Sequence, residues 1–421
     1  MTLALATITS PGYWPQTRAL AASLLHHAPE LRLHVLVLAD GQKCPAAETA
    51  NMILHTPDQI GLADWKQLTI RFSLFELACA LKPVLLLQLL KDQALDIAAY
   101  IDSDMMFYSS PTIIAERLRG SDILLTPHFA APNEPCNSGW EKKQFRFGTY
   151  NGGFLAVRNV ENARAFLRWW GERALRFSSE DPSADVYTDQ QWLDLVPGLF
   201  PQVAIERHPG FNVARWNLYG RKVEKQGNGY RVNGEPLVFF HFTQARPGMD
   251  WHLQYGPAVD ALFNEYYQAL AAHGYTAPTN GSRLAAQDCL PNGERVPSLC
   301  RQVLRSFVNH HQPTASLESV STPIEIMRKL VTDRAFYGAQ FRTSALYQAR
   351  LRRLGRPEEM AQRYASSRAY RWFVDAWFYL FGTIVLKLPE EWIEPYPGLR
   401  LLRRALLAPA RVVSALLRRA L

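Results

Sequence analysis

Five apolar or aromatic residues, Ile97 to Ile101, run straight into Asp102-Ser103-Asp104, and Met105-Met106-Phe107 follow. A short apolar run bounded by polar residues reads as a strand buried on both faces, the pattern of a parallel sheet. Open α/β sheets bind ligands at the carboxyl ends of their strands. Two carboxylates at i and i+2 on such an end raise each other's pKa unless a cation joins them. A divalent metal removes that cost. Hard oxygen ligands suit magnesium or manganese, which commonly bind one or two carboxylates together with substrate phosphates. The bland alternative is a solvated Asp pair capping a strand.

The surroundings of that strand set the fold class. Leu3 to Ile8 and Leu33 to Leu38 read as strands around a helix from Gln16 to His27, a βαβ opening. Phe72 to Leu90 is apolar and long enough for helix, with Pro83 expected to break it or to start a second helix. Ile123 to Leu125 and Gly153 to Val157 are further buried runs. Helices are expected at Val160 to Phe177, around Tyr187 to Leu195 and at Pro257 to Ala272, with a strand at Leu237 to Phe242. This alternation predicts an α/β domain with a mixed, mainly parallel sheet over residues 1–275.

Beyond it, residues 276–323 shift to Pro, Gly, Asn and Ser, the composition of a connector with a short helix, and residues 324–421 read as helical. The last 81 residues carry 15 Lys and Arg against 6 Asp and Glu, which leaves 31 and 32 for the rest of the chain. A basic tail on a near-neutral body suggests an anionic partner. Trp372 to Leu388 is apolar, but only eleven residues separate Asp375 from Lys387, too few for the roughly 20 that span a bilayer. Within Gly398 to Leu421, Leu399, Leu402, Leu406, Val413 and Leu417 share one helical face, opposite Arg400, Arg404, Arg411 and Arg418. That pattern suits a helix lying on an anionic membrane surface; the alternative is a helix docked on the α/β body. The tail shows no recognised nucleic-acid motif and no aromatic stacking pattern interleaved with its cations, so nucleic acid is not the expected partner.

Five cysteines, with no C-x-x-C spacing, argue against a disulfide framework or a zinc site and favour a reducing compartment. The amino-terminal apolar run has no basic residue before Arg18 and ends at Pro11-Gly12, so it reads as a first core strand rather than a signal peptide. The expected location is cytoplasmic, at most peripheral on the inner face of the membrane.

Three later motifs bear on chemistry. Tyr150-Asn151-Gly152-Gly153-Phe154 opens a strand; paired glycines admit a ligand close to the backbone, and an Asn beside them offers donor and acceptor. Thr188-Asp189-Gln190 puts a carboxylate and an amide at a helix start, where the Asp could instead simply complement the helix dipole. His241 ends the run Pro236 to His241, and a third ligand beside two Asp is what an open metal site lacks.

In this order the four elements resemble a nucleotide-sugar-dependent glycosyltransferase of the A-type fold. They are most similar to the retaining family-eight enzymes that include glycogenin and bacterial lipooligosaccharide galactosyltransferases. The segments KPVLLLQLL, TDQQWLDLVPGLFP, RHPGFNVARWNL and PLVFFHFT carry the same likeness, over roughly Leu3 to Tyr275. The resemblance implies a Rossmann-like mixed, mainly parallel sheet flanked by helices, with a mostly helical C-terminal extension. It implies that Asp102, Asp104 and His241 ligate manganese (or magnesium) on the donor diphosphate, and that Thr9 and Tyr13 contact base and ribose. Lys82 would reach the donor, Asn151, Gly152 and Gly153 would line the donor-sugar and acceptor pocket, and Asp189 and Gln190 would lie under the anomeric carbon. In HFTQARP the family's small residue and lysine are replaced by Gln244 and Pro247, and Arg246 would take over the phosphate contact. The implied reaction moves a sugar from a UDP-sugar or related donor to a saccharide or lipid-linked saccharide in surface polysaccharide or lipopolysaccharide synthesis, with retention.

Three rivals fit less well. A haloacid dehalogenase-type phosphatase also places D-x-D after a strand, but near the N-terminus and followed by Thr or Val, whereas Met105-Met106 follows here. A nucleotidyltransferase wants a Gly-rich basic loop after the first strand, which Thr9-Ser10-Pro11-Gly12 does not supply. A non-catalytic nucleotide-sugar-binding module would have no need of the full metal and donor set.

Overall fold

The computed structural model describes residues 1–276, apart from 40–50, 63–64, 66–67, 69–70, 93, 133–137 and 181–185. The expected connector and basic tail, including the two apolar stretches near the C-terminus, lie outside the described residues.

The chain opens with β1 (Leu3–Thr9), α1 (Trp14–His27), β2 (Leu33–Val37) and β3 (Met52–His55), followed by α2 (Leu74–Leu89), β4 (Ile97–Ile101) and β5 (Met105–Phe107). Then come α3 (Ile113–Arg117), β6 (Ile123–Pro127), α4 (Ser138–Phe147), β7 (Tyr150–Arg158) and α5 (Glu161–Phe177). A 3-10 turn at Gln190–Leu195 leads into α6 (Val196–Leu199) and β8 (Val203–Ile205). After β9 (Val213–Ala214) and a 3-10 turn at Arg215–Gly220 come β10 (Val223–Gln226), β11 (Gly229–Val232), β12 (Glu235–Pro236), β13 (Phe239–His241) and α7 (Pro257–Ala272).

The central sheet runs β3-β2-β1-β4-β7-β6-β8. β7 runs against β4 and β6, and the other neighbours are parallel. The mixed, mainly parallel α/β class expected from the sequence is what forms. From β1 the chain turns to one side for β2 and β3, then returns to pair β4 on the other. The topological switch point therefore falls between β1 and β4, where Thr9 and Asp102 emerge. Side chains of β4 alternate between two cores: Ala98 and Tyr100 face the one built with α2 and α5, and Ile97, Ala99 and Ile101 the one built with α1. Burial on both faces explains the uninterrupted apolar run.

Pro83 does not break α2, contrary to expectation: the helix is continuous from Leu74 to Leu89. Its start is fixed by a capping box, with Glu76 N donating to Ser73 Oγ at 3.2 Å and Ser73 N donating to Glu76 Oε2 at 2.9 Å. Its length is held by packing on α5, where Gly171 lies against the proline ring; a Cβ there would sit 3.6 Å from Pro83 Cγ. Burial of both helices offsets the one backbone bond that proline removes. The expected helix around Tyr187 to Leu195 is shorter, a 3-10 turn from Gln190.

A second, small sheet orders β5-β13-β9. β5 begins one residue after Asp104, and its antiparallel register puts Met105 opposite His241. That pairing carries a residue distant in sequence to the D-x-D turn.

Candidate active site

Asp102 leaves β4 with its N–H donated to Gly153 O at 2.8 Å, and Met105 N returns to Asp102 O at 3.2 Å, which makes the Asp pair a tight turn. β7 is antiparallel, so its start abuts the carboxyl end of β4; Asn151, Gly152 and Gly153 therefore lie beside the two carboxylates. From the small sheet, His241 Nε2 comes to 3.1 Å from Asp104 Oδ1 and 3.8 Å from Asp102 Oδ2. One ligand atom from each of Asp102, Asp104 and His241 lies within 4.8 Å of the others. Two carboxylate oxygens and an imidazole nitrogen suit manganese or magnesium.

The surroundings fit such an ion. A Cβ on Gly153 would stand 2.6 Å from Asp102 Oδ2 and 2.9 Å from His241 Cε1, so only glycine lets β7 pass under both side chains. Asp102 Oδ1 accepts from the Tyr100 hydroxyl at 2.9 Å, which orients that carboxylate from behind. Burial alone would lower the His241 pKa, yet Asp104 raises it; the same pairing draws Asp104 below the ordinary carboxylate range against its own burial.

Lys82, on α2, is the buried cation of the cluster. Its ammonium donates to Gly152 O at 2.9 Å, lies 3.5 Å from Asp102 Oδ1 and 3.4 Å from Asp189 Oδ2, and stands 4.9 Å from the centre of the Tyr100 ring. Burial would lower its pKa, but Asp102 and Asp189 hold it above the ordinary lysine range. One donor thus goes to a backbone carbonyl, and two carboxylates flank the ammonium as ion pairs.

Asp189 is 1% exposed, and its side chain makes no cap bond to the 3-10 turn it precedes, so it does not serve the helix terminus. Its carbonyl accepts from Trp170 Nε1 at 2.8 Å and its carboxylate faces Lys82. Burial raises its pKa, with Lys82 opposing. The preceding Thr188 sits at φ 46°, a left-handed conformation costly for a β-branched residue and here enforced by burial and a 2.9 Å bond from its N–H to Ser179 O.

Gln190 is fixed through both ends of its amide. Oε1 accepts from Gly152 N at 2.9 Å and Asn151 Nδ2 at 3.1 Å, and Nε2 donates to Phe147 O at 2.7 Å.

Asp102, Asp104, His241, Lys82, Asn151, Gly152, Gly153, Asp189 and Gln190 therefore converge on one place. Thr9 and Arg246 are not tied to it by any contact among the described residues. The Thr9 hydroxyl is buried and accepts from Thr17 Oγ1 at 2.6 Å, whereas Tyr13, 53% exposed, lies in the turn that follows β1. Arg246 is exposed on the loop after β13. Sequence reasoning missed Tyr100, His128, Asn212 and Trp216, the last set edge-on to the His128 and His241 rings at 5.3 and 5.2 Å. Only Tyr100 left a readable signal, two residues before Asp102 and so on the same face of the strand.

No protein-family model matches the chain. Two uncharacterised proteins of Bacillus subtilis (strain 168) are similar in sequence. YfnF is 31% identical over 179 residues, 41% of this chain and 57% of YfnF. YfnD is 25% identical over 230 residues, 52% of this chain and 71% of YfnD. The chain thus spans little more than half the length of YfnF. Among solved structures, the galactosyltransferase LgtC, crystallised with donor and acceptor sugar analogues, is similar over 65% of this chain and 97% of its own, at 15% identity and a TM-score of 0.38. Mouse xyloside xylosyltransferase 1 is similar over 57% and 97%, at 9% identity and a TM-score of 0.36. The bifunctional glycosyltransferase WbbM is similar over 64% and 50%, at 12% identity and a TM-score of 0.38. What the site can do follows from its own residues.

Proposed function

We propose that this chain is a divalent-metal-dependent glycosyltransferase that moves a sugar from a nucleotide-sugar donor, a UDP-sugar first, to a saccharide or lipid-linked saccharide acceptor. The observation that carries this reading is the Asp102-Asp104-His241 cluster at the switch point of the sheet, with the Asn151-Gly152-Gly153 strand start and Asp189 beside it. The sequence likeness to retaining family-eight enzymes supports it independently of any overlay.

In this reading Asp102, Asp104 and His241 hold manganese or magnesium, which when bound neutralises charge on the leaving diphosphate. Arg246 takes the outer phosphate, where a guanidinium can bind two oxygens at once. Thr9 and Tyr13 border the base and ribose. The glycosidic C–O bond to the diphosphate breaks with its electron pair going to the phosphate oxygen. The acceptor hydroxyl then bonds to the anomeric carbon and gives its proton to that departing oxygen. Gln190 is no nucleophile here, since two N–H groups occupy its amide oxygen, and Asp189 is engaged by Lys82. Both features favour front-side attack with retention.

The basic C-terminal segment is proposed to hold the enzyme on an anionic membrane surface, close to a lipid-linked acceptor of surface polysaccharide synthesis. Among the described residues, no helix is long and apolar enough to cross a membrane. The direct test is hydrolysis of a panel of UDP- and GDP-sugars by the purified chain with and without manganese. Metal-dependent release of a nucleoside diphosphate from one of them is expected. No release from any, at any metal concentration, would refute the proposal.

A further inference from the structure

His128 follows β6 directly and is buried, its ring edge-on to Trp216, outside the Asp102-Asp104-His241 group itself. Its ring Nδ1 is 3.1 Å from Thr149 O and its Nε2 is 3.3 Å from Asn151 Nδ2. A carbonyl can only accept, so Nδ1 carries the hydrogen. Burial holds the ring pKa down at about 4, which leaves the ring neutral and Nε2 a bare acceptor.

The direction of the next bond follows. Asn151 must turn its NH2 toward His128, and its Oδ1 then faces donors only: Gly153 N at 3.1 Å and Asn212 Nδ2 at 3.2 Å. The second N–H on Asn151 Nδ2 goes to Gln190 Oε1 at 3.1 Å, where Gly152 N also donates. At the far end, Phe147 O can only accept, so it demands Gln190 Nε2. Fixed donors and acceptors at both ends of the chain give the same orientation for all three side chains. No amide can flip without leaving a buried group unpaired.

We propose that His128 is a positioning residue: through Asn151 it fixes the amide of Gln190 so that the carbonyl oxygen is consumed inside the protein and a single N–H remains to meet a bound ligand. Asn151 belongs to this support rather than to the set of ligand contacts. The kinetic consequence rests on the transferase reading; the geometry does not. A Gln190 held this way acts on the reacting centre by orientation. Releasing it lowers turnover without weakening donor or metal binding.

The test uses the full chain, with His128→Leu, which loses both ring bonds, and His128→Gln, whose amide can donate to Thr149 O and accept from Asn151. Side-chain amide exchange of Asn151 and Gln190 is followed by 1H–15N spectroscopy. In His128→Leu it is expected to speed up by about tenfold or more. Turnover, read as manganese-dependent nucleotide release, is expected to fall about 100-fold, with donor KM and manganese Kd changed by less than about threefold. His128→Gln is expected to restore both readouts to within about fivefold of wild type. Unchanged amide exchange in His128→Leu, or a folded His128→Gln as impaired as His128→Leu, overturns the proposal. Should His128→Leu not fold, the imidazole 15N shifts of the wild type still decide: the Nδ1–H tautomer upholds the proposal and the Nε2–H tautomer overturns it. If the wild type releases no nucleotide from any sugar nucleotide, the transferase reading alone fails, and amide exchange still upholds or overturns the role of His128.

Discussion

Replacing Gly153 by alanine puts a methyl group where none fits. The added Cβ would lie 2.6 Å from Asp102 Oδ2, 2.7 Å from Asn151 Oδ1 and 2.9 Å from His241 Cε1. Ordinary contacts between such atoms are about 3.5–4.0 Å, so each neighbour must retreat by roughly 1 Å. None is free to do so cheaply. Asp102 is held by the Tyr100 hydroxyl and faces Lys82, and Asn151 is tied by Gly153 N, Asn212 and His128. Overpacking of this kind costs about 1–3 kcal/mol. Two of the three displaced groups, Asp102 and His241, are proposed metal ligands, so manganese affinity should fall by about 10–100-fold as well. Denaturant unfolding gives the first number and calorimetric manganese titration the second. Gly152→Ala is the matched control. Its Cβ would stand 3.0 Å from Asp189 Oδ2 and 3.2 Å from Gln190 Cβ, which should disturb Gln190 and spare the metal. A Gly153→Ala protein with stability within about 0.5 kcal/mol and metal affinity within about twofold of wild type would refute the geometry of the cradle.

Three other outcomes are expected. Gly171→Ala, inside α5 with its nearest neighbour at 3.6 Å, should stabilise the protein by about 0.5–1 kcal/mol, since the space exists and helical glycine is entropically costly; a loss of stability in urea unfolding would contradict this. His34 Nδ1 lies 2.9 Å from His55 Nε2, and burial, with His55 adding to it, lowers the His34 pKa to about 4. The unfolded chain therefore takes up the proton first, and stability is full above pH 6.5 and falls by about 1–2 kcal/mol toward pH 4, after discount for partial exposure; His34→Gln should flatten that slope, and an unchanged slope removes the assignment. Truncation near Pro397 should abolish co-sedimentation with anionic vesicles at low salt; equal binding by both forms, or by neither, removes the membrane role.

The Asp102 turn and the strand before it were legible because burial on both faces of β4 leaves an apolar run that stops abruptly at charge. Lys82, Asn151 and Asp189 were legible through family likeness, yet their relation was not. That Lys82 joins Asp102 to Asp189 depends on α2 lying across the sheet. Of the small sheet only β13 was expected as a strand; β5 has three residues and β9 two, too short to show a period. The hairpins of β10, β11 and β12 do leave a signal in the sequence. Asn233-Gly234, at φ 51° and 85°, is the dipeptide that a tight two-residue turn requires. Pro83 misled because local propensity says nothing of the helix packed against it. His128 and Asn212 gave no sign at all, since their partner Asn151 is 23 and 61 residues away.

Asp102, Asp104 and His241 are proposed to form one metal site on which the donor depends. Calorimetric titration of manganese into the wild type, Asp102→Asn, Asp104→Asn and His241→Ala, each repeated with UDP present, tests it most directly. One site is expected in the wild type, tightened by UDP. Each variant should bind manganese at least about 100-fold more weakly, with the UDP effect lost. A wild type that binds no manganese, or variants that bind it and UDP as the wild type does, would contradict the account.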